Sequence, residues 1–197
     1  MVERGELDRR GTELPGLSRS PQLETPEAAL NQLFAWAVRR DPSGARAQPG
    51  RRPEWSRDQF EDLVEAARAF RRVGPGAAPP PAAVFDQVVA GLFGIRADGA
   101  GGRFEIAPWI PEGWRSMVLR RLRCHRTLLD FEVKARAEWL TLRFDLVFGP
   151  PIPLSVTVRN AGPVGRIAVD EIPLGGERAV FTLQELHEVI FFLGASP

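Results

Sequence analysis

The sequence predicts a mainly β protein, an antiparallel, jelly-roll-like β-sandwich preceded by about three α-helices. Two features of the 197-residue chain predict this. Up to Gly94 the apolar residues recur at helical spacing, and beyond it they alternate with polar ones in short runs. Turn-forming clusters of Gly, Asn, Asp and Pro separate those runs, as in a sandwich rather than a doubly wound sheet.

Residues 1–24 are rich in charge, Gly and Ser and have no periodicity, so a mobile tail is expected there. A first helix is expected over 25–40. Thr25 can cap it, Pro26 suits its first turn, and Leu30, Leu33, Phe34, Ala37 and Val38 form its stripe. Asp41 to Pro53 reads as a loop. A second helix is expected over 57–72. Ser56 and Gln59 match a capping box, and Phe60, Leu63, Val64, Ala67 and Phe70 lie on one face. The Pro/Gly-rich stretch from Val73 to Pro80 ends it. A third helix is expected over 81–93, with Val84, Phe85, Val88, Val89 and Leu92 inward and Gly94 as its stop.

About eight strands are expected beyond Gly94. Leu129–Lys134, Leu140–Phe148 and Leu154–Arg159 alternate most cleanly, the pattern of a sheet with one buried face. Others are expected at Arg103–Ile106, Met117–Arg123, Gly165–Asp170, Ala179–Leu183 and Glu188–Leu193. Asp98-Gly99, Asn160-Ala161-Gly162 and Gly175-Gly176 are the turn signals. The chain thus divides into a tail (1–24), a helical segment (25–94) and a β-sandwich domain (95–197).

Composition narrows the function. Net charge is +1 and acidic residues accompany most of the Arg pairs, so nucleic acid is not an expected partner. The first 20 residues lack the apolar run of a secretory signal, and no stretch suffices to span a bilayer. Cys124 is the single cysteine, so an intramolecular disulfide is impossible; a cytoplasmic protein without membrane association is expected.

The side chains that could do chemistry are few. Cys124, His125 and His187 fall short of a zinc set, and Cys124 and His125, adjacent on an expected strand, should leave opposite faces. A Cys/His nucleophilic pair fails for the same reason. Gly99-Ala100-Gly101-Gly102 leads into a strand rather than a helix, so it reads as a hairpin turn and not a phosphate loop. No metal and no cofactor are expected. Glu61 and Glu65 share a helix face with Arg57 and Arg68 beside them, the pattern of a solvated face with ion pairs one turn apart. Asp170 and Glu171 are neighbours that should diverge. Trp109 and Trp114 bracket Ile110-Pro111-Glu112-Gly113; they are the candidate sugar-stacking residues, set against a role as plugs under a helix layer. Trp36, Trp55 and Trp139 are scattered. No catalytic residue is assigned.

One stretch resembles a known family. Gly91-Leu92-Phe93-Gly94-Ile95-Arg96-Ala97-Asp98 is followed by Gly102-Arg103-Phe104-Glu105-Ile106-Ala107-Pro108 and by Ile110-Pro111-Glu112-Gly113-Trp114. It resembles the join between the last barrel helix and the terminal β-sandwich in (α/α)6-barrel, six-hairpin glycoside hydrolases and phosphorylases. Examples are cellobiose-phosphorylase-like enzymes, amylo-α-1,6-glucosidase (glycogen-debranching) types and α-L-rhamnosidases. There a G-L-L-G-I-R-P-D segment precedes L-R-I-x-P-x-I-P-x-x-W, and a further strand follows where Val118–Cys124 stands here. Ala97 replaces the family's Pro. The resemblance covers residues 82–135 best. In the family the catalytic acids belong to a twelve-helix barrel, and this chain has room for about three helices.

The resemblance implies a non-catalytic accessory or remnant module, structural in itself or docking on a separate catalytic helical barrel. Its apolar helix stripe, including Phe60, Leu63, Val64, Val84, Phe85 and Val88, must pack on the chain itself, on that partner or on a second copy. The alternatives are a carbohydrate-binding module taking an oligosaccharide on Trp109 and Trp114, and a small glycoside hydrolase with an unrecognised site.

Overall fold

The computed structural model describes residues 20–42, 55–97 and 102–194. The expected tail up to residue 19, residues 43–53 of the expected loop, the Asp98-Gly99 turn and Gly99 to Gly101 of the glycine-rich run lie outside the described residues. Among the described residues the chain is mainly β, with two sheets and about three helices, as the sequence predicts.

Strand β1 (Gln22–Glu24) opens the described fold. The sequence reading places these residues in the tail; instead Leu23 pairs with Leu119, and Glu24 meets Arg120 at 2.9 Å. Helix α1 (Ala28–Arg40) starts two residues later than a Thr25 cap suggests, because Glu27 caps it by accepting from Ala29. Thr25 is tied to Asn31: its N–H donates to the Asn31 side chain, and the Asn31 amide donates back to the Thr25 carbonyl, both at 3.0 Å. Helix α2 (Arg57–Val73) has the full reciprocal cap between Ser56 and Gln59.

The third helix is a compound element. Helix α3 (Pro81–Phe85) runs into a π-helical segment, Asp86–Leu92, closed by a bond from the Phe93 N–H to the Val88 carbonyl. Val88, Val89, Ala90, Gly91, Leu92 and Phe93 are all buried, so apolar contacts surround the widened turn.

The strands continue as β2 (Ile95–Ala97), β3 (Phe104–Ile106), β4 (Ser116–Cys124), β5 (Thr127–Ala135), β6 (Trp139–Phe148) and β7 (Ile152–Val156). Then come β8 (Val164–Val169), β9 (Ile172–Leu174), β10 (Ala179–Leu183) and β11 (Leu186–Leu193). The larger sheet has the order β1-β4-β5-β6-β11-β8-β9, the smaller β10-β7-β3-β2. One pair departs from the antiparallel expectation: β3 and β7 run parallel. The chain between them builds β4, β5 and β6 in the other sheet, a connection long enough for parallel return.

A single continuous core holds the molecule. It joins Leu30 and Phe34 of α1, Leu63 of α2 and Phe93 to the inner faces of both sheets. Aromatic contacts thread it: Phe93 meets Phe131 edge-on at 5.7 Å, Phe131 stacks on Phe144 at 4.7 Å, and Phe144 meets Phe181 of the facing sheet at 5.9 Å. Leu63, Val64, Val84, Phe85 and Val88 are buried by the chain itself.

The β8–β9 hairpin turns through Asp170 and Glu171, both left-handed at φ 49° and 70°. Two consecutive positive φ values match a type I′ turn, which favours Asp-Gly. Left-handed backbone costs a non-glycine residue about 1–2 kcal/mol, of which glycine's extra unfolded-state freedom returns part. Glu171→Gly is therefore expected to stabilise the protein by roughly 0.5–1 kcal/mol. A urea titration checks this, and a lower midpoint refutes the turn assignment.

Candidate functional site

A cleft of about 500 Å³ lies where the first turn of α2 meets the segment after β3. Helical spacing puts Arg57, Phe60 and Glu61 on one face of α2. Trp109, Ile110 and Glu112 supply the opposite wall, with Asn160 at one end.

Backbone pairing fixes Trp109. Beyond β3 the parallel register with the β7 side continues: Thr157 donates to the Ile106 carbonyl at 2.9 Å and Arg159 to the Pro108 carbonyl at 3.1 Å. Trp109 itself donates to the Leu92 carbonyl at 2.9 Å, at the end of the π segment. The Asn160 side chain then clamps Ile110, accepting from its N–H at 3.0 Å and donating to its carbonyl at 2.8 Å. The Arg159 guanidinium donates to the Ala107 carbonyl at 2.6 Å and to the Gly91 carbonyl, joining the helical layer to the sandwich.

The two candidate tryptophans have different positions. Phe60 sits between them, 5.2 Å from Trp109 and 5.4 Å from Trp114. Both indoles therefore plug the base of α2. Of the two, Trp109 also lines the cleft, whereas Trp114 does not.

The polar rim is a three-member charge group. Arg57 Nε meets Glu61 at 2.8 Å, and its Nη1 lies 3.8 Å from Glu112. The hydrogen bond to Glu61, then the charges of Glu61 and Glu112, raise the guanidinium pKa. All three side chains are well exposed, Glu112 at 91%. Glu65 does not pair one turn away: it meets Arg72 at 3.1 Å, and Arg68 reaches across to Glu27 at 2.8 Å rather than to Glu65.

No family model matches this chain, and no curated protein matches it. Several solved structures align with it. An alpha-L-rhamnosidase from Dictyoglumus thermophilum aligns over 55% of this chain and 14% of that one, with 8% identity and a TM-score of 0.38. A GH127 beta-L-arabinofuranosidase from Geobacillus stearothermophilus T6 aligns over 81% and 30%, with 8% identity and a TM-score of 0.38. CelM2, a bifunctional glucanase-xylanase from a metagenome library, aligns over 41% and 18%, with 12% identity and a TM-score of 0.28. The alignments thus span 30% or less of each of these chains.

Elsewhere, the reactive side chains do not converge. Cys124 ends β4 fully buried, and burial pushes its thiol pKa well above the ordinary range. His125 is not on a strand, as the sequence reading has it. It occupies the β4–β5 turn at φ 55°, its ring 5.1 Å from Phe104. His187 lies on β11 opposite Phe144 of β6, bonded to Asp170 at 2.6 Å. Burial alone would raise the Asp170 pKa, but the Glu188 N–H and the His187 ring outweigh it and hold the carboxyl below the usual range. Among the described residues no group of three or more His, Cys, Asp or Glu is placed to hold a metal, and no helix is long and apolar enough to cross a membrane.

A second exposed aromatic surface escapes sequence reading. On the outer face of the larger sheet Trp139, Phe192 and Arg166 form one cross-strand row, with the Arg166 guanidinium 4.1 Å from the Phe192 ring centre. The row exists only because β11 lies between β6 and β8, a pairing that alternation does not encode.

Proposed function

We propose that this chain is a non-catalytic accessory module related to the terminal part of a carbohydrate-active enzyme. The observation that supports this reading most is the internal use of the motif residues. Gly94 packs on the Ala107 carbonyl, Trp109 and Trp114 enclose Phe60, and Trp109 pairs with Leu92. The segment that resembles the barrel–sandwich join thus fastens three helical elements to a sandwich. The chemistry of the cleft agrees. A glycosidase sets an acid and a second carboxylate across the scissile bond in a site closed to bulk water. Here Glu61 and Glu112 share Arg57 and both face solvent.

A separate catalytic helical barrel is the partner this reading calls for. The helical stripe is already covered, so docking would use the remaining exposed apolar groups, of which Val73 at the end of α2 is the most open. Incubation of the pure chain with a panel of aryl-glycosides is the test. No turnover is expected, and turnover abolished by Glu61→Gln or Glu112→Gln overturns the non-catalytic reading.

A second reading, a carbohydrate-binding module, is favoured by one observation: the half-buried Trp109 indole lines an open cleft rimmed by donors and acceptors.

A further inference from the structure

We infer that the cleft at the base of α2 binds an uncharged pyranose unit of an oligosaccharide on Trp109, with Glu61, Glu112 and Arg57 as its hydrogen-bonding rim and without Trp114. This rests on the carbohydrate-binding reading and narrows it to one site and one indole.

Four features fit that ligand. The cleft, about 500 Å³, falls within the size range of small-molecule sites. Its lining includes two aromatic rings, Trp109 and Phe60, which suit the apolar C–H face of a sugar ring. Its rim offers carboxylate acceptors beside a guanidinium donor, the pairing that ring hydroxyls satisfy, since each hydroxyl both donates and accepts. The backbone that carries the indole is held before any ligand arrives, by the Trp109–Leu92 bond and the two-point Asn160 clamp on Ile110, and the ring itself rests on Phe60.

The charge arrangement selects against ions. A cationic ligand would compete with Arg57 for Glu61 and Glu112, and an anion would meet both carboxylates. A neutral hydroxylated ring can bond to all three without breaking the Arg57–Glu61 pair. Trp114 is placed behind Phe60 and outside the cleft, so its part is to support the wall.

Isothermal titration of the full chain with maltohexaose, cellohexaose and xylohexaose tests the inference, with Trp109→Ala, Glu112→Ala and Trp139→Ala as variants. Saturable binding of at least one oligosaccharide is expected. It should weaken about tenfold or more in Trp109→Ala, weaken measurably in Glu112→Ala, and stay unchanged in Trp139→Ala. Glu112 is 91% exposed, so its variant decides the matter should Trp109→Ala not fold. Binding that survives both cleft variants, or that Trp139→Ala abolishes, overturns the cleft assignment and leaves the carbohydrate-binding reading standing on the outer sheet face. Absence of saturable binding to all three oligosaccharides overturns the inference and the carbohydrate-binding reading together.

Discussion

Gly94→Ala is expected to destabilise the protein by roughly 1.5–4 kcal/mol, the sum of a net left-handed backbone cost and an overlap that cannot relax cheaply. Gly94 joins the π segment to β2 at φ +62°. An added Cβ would intrude on the Ala107 carbonyl, lying 2.5 Å from its carbon. The obstacle is backbone, and that backbone is bound in place: the Ala107 N–H donates to the Gly94 carbonyl at 3.1 Å, and the Ala107 carbonyl accepts from Arg159 at 2.6 Å. Relief would therefore mean parting the helical layer from the smaller sheet. Gly113 supplies the control. Its φ is +80°, yet a Cβ there meets nothing within 4 Å. Gly113→Ala should show the net backbone cost alone, about 0.5–1 kcal/mol. Equal midpoints for the two variants in chemical denaturation would refute the close approach at Gly94.

The contrast between these two glycines marks where sequence stops informing. Gly94 is legible as a helix stop because the period changes beside it. The second requirement on it, contact with Ala107, depends on a pairing thirteen residues away. The same divide runs through the strands. The long alternating runs, such as Leu140–Phe148, are found where alternation puts them, since period 2 with one buried face leaves little choice. Strands β1, β2 and β9 are three residues each, too short for a period, and they exist because a longer neighbour offers them a partner. Thr25 and Ser56 show that cap chemistry is legible only in part. Ser56 meets its reciprocal Gln59, whereas Thr25 is drawn to Asn31 and leaves the cap to Glu27. In the candidate site, the tryptophan pair is visible as a motif, but the partner lodged between them, Phe60, comes from another element. Its position separates a cleft-lining indole from a supporting one.

Phe131→Ala is the second large effect, a loss of about 3–5 kcal/mol for a fully buried phenylalanine. Phe131 lies at the crossing of the layers. Its ring stacks nearly parallel on Phe144, at 4° between planes, and meets Phe93 edge-to-face at the end of the helical segment. Leu119 and Phe144 are its register partners on either side, so rigid strands bound the space it would leave. A cavity there cannot close without moving either the helices or the sheet. The continuous core adds a qualitative expectation. If the helical layer and the sandwich stand on this shared ring cluster, wild type and Phe131→Ala should each lose helical circular dichroism and tryptophan fluorescence in one coincident transition. Two separated transitions, with the sandwich unchanged by the substitution, would mean that the helices rest on the sheets without being part of their core. The proposal that the Gly91–Trp114 segment is a structural join would then lose its physical basis.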